Sequence, residues 1–185
     1  MSKFTPEWLT AAFTLVMAVT GIWALVYASS QLRQAREEAQ LQRLLDLDKE
    51  YRSEPMITYR RVAAQKRLAG QDEPNEEDEM LDFFETVALF ANRGQLKDID
   101  VWEAFGSYIF PLYADARDDI EQDQKQHPAD YTNLVTLMPR LETIEQAHGS
   151  VDAKPSKEDV HDYWETESQL EAGPPVTRRR RAGAK

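Results

Sequence analysis

The sequence predicts an all-α chain: one N-terminal transmembrane helix continuing into a juxtamembrane helix, then a small cytoplasmic helical bundle and a disordered basic tail. Three observations predict it. Residues 8–28 carry no charged side chain, so the chain's net charge of −11 lies outside them. From residue 31 onward, apolar positions recur at helical spacing between proline and glycine stops. No run of alternating β-branched residues stands between turn signals, so no sheet is expected.

The stretch from Trp8 to Ala28 is about 21 residues, which at a rise of 1.5 Å spans about 31 Å, the thickness of a bilayer's hydrocarbon core. Trp8 stands at one end, and Trp23 and Tyr27 near the other, where amphipathic rings prefer the interface. Its threonines can return their hydroxyl bonds to the preceding turn. The competing reading is a cleaved signal peptide, with Val26-Tyr27-Ala28 as its cleavage site. The apolar stretch exceeds the usual h-region, and Lys3 is offset by Glu7, which favours the anchor. Lys3 lies before the span and Arg33, Arg36 and Arg43 after it. The positive-inside rule then puts residues 1–7 outside and the C-terminal part in the cytoplasm, at an inner or plasma membrane.

Residues 29–52 contain no glycine or proline and are rich in Leu, Gln, Arg and Glu, which are strong helix formers. A seam of small and apolar residues crosses the membrane boundary: Ala11, Thr14, Ala18, Gly21, Leu25, Ala28 and Leu32, continuing to Ala35 and Ala39. Small residues at that spacing let helices approach closely, so the seam is the expected route to a homo-oligomer.

Residues 53–149 are expected to form the bundle. Ser53-Glu54-Pro55 starts one helix and Gly70 closes it. The acidic run 71–79 has no glycine for a calcium loop, so its acids are expected at the positive N-terminal end of the next helix, capped by Asn75. That helix buries Met80, Phe84, Val87 and Ala91 and ends at Gly94. The next, from Asp98, carries Trp102, Phe105, Tyr108, Ile109, Leu112 and Tyr113, a stripe read as core with the lining of a ligand pocket as the alternative, and Pro111 is expected to kink or split it. Asp130 is expected to cap a last bundle helix, interrupted by Pro139. Residues 150–171 form an acidic segment with a short helix around Val160, Tyr163 and Trp164, to dock on the bundle or a partner. Residues 172–185 cannot bury a core and are expected to be disordered.

Composition narrows the function. The acidic balance argues against nucleic acid as a partner. Without cysteine there are no disulfides, thiol catalysis or thiolate zinc sites. His161, with Glu165, Asp159 and Asp162, has the only ligand-like spacing, and two ligands on one helix make a poor site. No GxSxG, phosphate-binding glycine loop or HExxH is present, so no catalytic, cofactor-binding or metal residue is named. The tail's Arg178, Arg179, Arg180 and Arg181 are candidates for contact with anionic lipid of the bilayer.

Leu81-Asp-Phe-Phe-Glu85, Asn92-Arg-Gly94, Ile99-Asp100 and Phe105-Gly106 through Pro111 resemble a bacterial family of single-span, membrane-anchored helical proteins. That family is catalogued as a domain of unknown function, and the likeness covers roughly residues 8–148. The resemblance implies the anchor and the helical fold, and no catalytic residue. The expected role is a membrane-tethered interaction module, structural or regulatory, that presents its bundle to a protein partner. The alternatives are a sensor or effector component of a bacterial stress or defence system and, third, an enzyme with an unrecognised carboxylate site.

Overall fold

The computed structural model describes residues 6–71, 75–148 and 154–171, without the side chains of 6–12, 14, 16, 18, 19, 22 and 26. The described residues form six helices and no strand: α1 (Pro6–Tyr51), α2 (Glu54–Leu68), α3 (Asn75–Asn92), α4 (Asp98–Gln126), α5 (Thr132–Ala147) and α6 (Lys157–Ser168). The chain divides into two compact units, Met1–Gln42 and Arg43–Lys185.

In the first unit, Phe13, Leu15, Met17, Trp23, Leu25 and Tyr27 are all exposed, and the hydroxyls of Thr20 and Ser30 donate to the carbonyls of Met17 and Tyr27. Among the described residues, no helix is long and apolar enough to cross a membrane. Part of the stretch expected to do so, residues 8–28, lies outside the described side chains.

The second unit is the bundle. Its core joins Leu47 and Tyr51 of α1 to Met56, Ala63 and Ala64 of α2, the Met80, Phe83, Phe84 and Val87 face of α3, and Phe105, Ile109 and Leu112 of α4. Leu134, Leu137 and Leu141 of α5 and Tyr163 and Trp164 of α6 belong to it as well. Burying a large apolar side chain is worth about 1.5–3 kcal/mol, so this face supplies most of the driving force. Tyr51, Phe83, Phe84 and Phe105 pack as one aromatic cluster, with centroids 5.1–6.0 Å apart.

Gly70 and Gly94 end α2 and α3 as expected, with φ of +71° and +67°. In each case the glycine N–H and the one after it reach back to the last turn: Gly70 to Arg67 and Gln71 to Lys66, then Gly94 to Ala91 and Gln95 to Phe90.

Two expectations change. α4 runs from Asp98 through Pro111 to Gln126, and α5 runs through Pro139, so neither proline splits its helix. A proline removes one backbone bond and crowds the turn before it. Burial of Phe110, Pro111 and Leu112 in α4, and of Leu137, Met138 and Leu141 around Pro139 in α5, holds each helix through its proline. Asp130 does not cap α5. Its start is served instead by Glu85 of α3, whose carboxylate accepts the backbone N–H of Asn133 at 3.0 Å and of Leu134 at 2.7 Å. An anion there meets both the free donors and the positive helix end. Of the two docking places expected for the short helix, α6 takes the bundle, packing on α2 and α4.

Candidate functional site

α6 begins with a capping box: Ser156 accepts the N–H of Asp159, and Asp159 accepts the N–H of Ser156. The helix then offers one face, Asp159, Asp162, Tyr163, Thr166 and Glu167, at i, i+3, i+4, i+7 and i+8. Its two ends of contact are different in kind. Trp164 donates to Asp115 of α4 at 2.8 Å, and Glu167 reaches Arg60 of α2.

The Arg60–Glu167 pair is bidentate, with Nε at 2.6 Å and Nη2 at 2.7 Å from the carboxylate. Arg60 is 5% exposed and Glu167 2%. The guanidinium lies over the ring of Tyr51 at 4.2 Å and that of Tyr108 at 5.1 Å, and donates to the Tyr51 carbonyl at 3.3 Å. Planarity and five donors are what let arginine stack and pair at once. Burial works against its charge, but the Glu167 hydrogen bonds and the neighbouring groups hold its pKa above the usual value. The hydroxyls of Tyr51 and Tyr163 are buried here with no hydrogen bond of normal geometry, although each acts on the other electrostatically. Burial is the leading cause that pushes both phenols well above their usual pKa, with the Glu167 charge adding to it against the pull of Arg60.

A second centre lies two turns further along α2. Arg67 of α2 bonds Glu77 of α3 at 2.6 and 3.1 Å and approaches Asp115 and Asp119 of α4 at 3.4 and 3.3 Å. Glu77 is 3% exposed; its pKa is raised, by burial first, with Asp115 and Asp119 adding to the shift against the pull of Arg67. The acidic run is therefore more than a solvated helix start: Glu76 pairs with Lys66 and Glu77 with Arg67. A polar cavity of about 370 Å³ opens beside this centre, lined by Asp119, Asp123 and Tyr131 among others.

The larger opening, about 760 Å³, is a groove between α4 and α6. Trp102, Tyr108, Phe110 and Pro111 form its α4 side, and Asp159, Asp162, Tyr163 and Glu167 its α6 side. Trp102 donates to Glu145 at 2.5 Å and stacks on His148, with centroids 4.5 Å apart. That volume is in the range of small-ligand pockets.

His161 meets only Glu165, at 3.4 Å and exposed, and among the described residues no group of three His, Asp or Glu is placed to hold a metal. Of the self-association seam, Gly21, Leu25, Ala28 and Leu32 are exposed, while the side chains of Ala11, Thr14 and Ala18 lie outside the described residues. Arg178, Arg179, Arg180 and Arg181 also lie outside them. The sequence reading missed Arg60, Glu167 and Glu85, whose partners stand 48 to 107 residues away, and Arg67, which joins Glu77 only 10 residues on but Asp119 52 residues on. The chain matches no family model, no curated protein and no solved structure.

Proposed function

We propose that the chain is a membrane-tethered helical interaction module, held by residues 8–28, with its bundle on the cytoplasmic side of an inner or plasma membrane and a protein as its partner. The supporting observation is the first unit's surface. Phe13, Leu15, Met17, Trp23, Leu25 and Tyr27 are each 60–73% exposed along a stretch with no charged side chain. Contiguous exposed apolar side chains of this size call for a cover, and a charge-free stretch of about 21 residues fits a bilayer. The resemblance to single-span bacterial proteins points the same way, and the Gly21 seam supports self-association within the bilayer.

The bundle's chemistry supports an interaction role over catalysis. Its most deeply buried charges, Arg60, Glu77 and Glu167, are paired with one another or with Arg67. One observation favours a second reading, a sensor or effector component: the α4–α6 groove is large enough to take a ligand. Alkaline carbonate extraction of cell membranes tests the tether. The full chain is expected to remain in the pellet with integral proteins; release into the supernatant contradicts the reading.

A further inference from the structure

We propose that the α4–α6 groove is the seat of the chain's own arginine tail, Arg178–Arg181. The groove pairs an aromatic floor with a one-signed rim. Trp102, Tyr108 and Phe110 line it, as do the carboxylates of Glu103, Asp162 and three further acids, and no Lys, Arg or His side chain does. Three of those five acids already have work within the fold: Glu167 holds Arg60, Glu145 accepts from Trp102, and Asp159 caps α6. Glu103 and Asp162 are exposed, and no described side chain pairs with either carboxylate. A guanidinium is the group that satisfies ring and carboxylate together, because it stacks on an aromatic face while its edge donates. The same fold already uses that arrangement at Arg60, over Tyr51 and against Glu167, and lays Arg43 over Phe90 at 4.7 Å.

Chain length selects this tail over other cations. α6 is itself one wall of the groove and ends at Ser168. The seven residue steps from Glu171 to Arg178 reach about 23 Å, whereas all of α6 is about 18 Å long, so the arginines can stand anywhere along that wall. Gly173, Pro174 and Pro175, residue types that favour turns, stand between α6 and the arginines in the sequence. The tail carries five positive charges and no acid, while residues 150–171 carry seven acids and two lysines. Tethering gives the arginines a millimolar-scale local concentration that a free amine in solution lacks.

Limited tryptic digestion of the full chain in neutral detergent, followed by intact mass, reads this directly, since Arg178–Arg181 are cleavage sites. At low salt, tail release is expected to be roughly fivefold slower than in the Glu103→Gln/Asp162→Asn variant, with the difference vanishing at high salt. Both substituted residues are exposed, and an unchanged melting temperature verifies the variant's fold. A Glu158→Gln/Asp118→Asn control, altering exposed acids outside the groove, is expected to retain the slow rate. Equal release from the wild type and the groove variant overturns the proposal. So does protection that rises with protein concentration, which assigns the groove to a second copy's tail. Protection that appears only with phosphatidylglycerol vesicles and ignores the groove variant also overturns it, in favour of anionic lipid.

Discussion

Arg60 and Arg67 stand two turns apart on α2, and the bundle uses them in opposite ways. Arg60 is sealed between two tyrosine rings with a single carboxylate from a helix 107 residues further on. Arg67 is only partly covered and shares its charge among Glu77, Asp115 and Asp119 beside a polar cavity. The first is 5% exposed and its carboxylate 2%, so solvent does not readily take the place of a lost partner. The second has three partners and solvent within reach. A buried pair of the first kind adds little over an apolar pair of equal size, yet losing one member is severe. Its role is to fix where α6 sits.

Breaking the sealed pair should give the largest effect. Glu167→Ala leaves Arg60 buried and uncompensated and is expected to lower unfolding stability by about 3–5 kcal/mol in denaturant titration. Replacing both members, Arg60→Met with Glu167→Leu, should recover most of that loss, which separates the penalty of an orphaned charge from any net worth of the pair. Arg67→Ala should be milder, about 1.5–3 kcal/mol, because Asp115 and Asp119 stay partly exposed and buried Glu77, whose pKa is already raised, can take up a proton. Weakening the start of α6 by Ser156→Ala should cost about 1 kcal/mol.

The smallest effect sharpens the contrast through pH. Glu77 has a folded pKa raised above its unfolded value, so the native state holds its proton more tightly than the unfolded chain does. Its ionised form therefore weighs against folding above the folded pKa, and that burden is lifted as pH falls toward the unfolded value of about 4.5. Stability of the wild type relative to Glu77→Gln is expected to rise as pH is lowered through this window, read as the difference between two denaturant curves. A difference that stays flat contradicts a raised Glu77.

What the sequence could show follows the same division. Helical faces such as Met80, Phe84, Val87 and Ala91 repeat locally, and the stops at Gly70 and Gly94 depend on a backbone conformation that glycine favours, so both were legible. The prolines misled because a local rule about one missing bond carries no knowledge of the packing on either side. The Arg60–Glu167 pair and the Glu85 contact with α5 were hidden for another reason. Neither Arg60 nor Glu167 differs in sequence from the other charges of a chain with 30% charged residues, and only the folded bundle brings them together. The α4–α6 groove was half legible: its α4 aromatics read as core with a pocket lining as the alternative, and Trp102 and Tyr108 are only partly buried, but the α6 wall opposite them is brought there by the fold alone.

The tethered orientation is open to one direct measurement, made clean by the absence of cysteine from the chain. Single-cysteine variants Ser2→Cys and Gln71→Cys are treated with a membrane-impermeant maleimide on intact and permeabilised spheroplasts. The account expects Ser2→Cys to label in intact spheroplasts and Gln71→Cys only after permeabilisation. Labelling of both only after permeabilisation, or of Gln71→Cys in intact spheroplasts, would contradict a single span with the bundle on the cytoplasmic side.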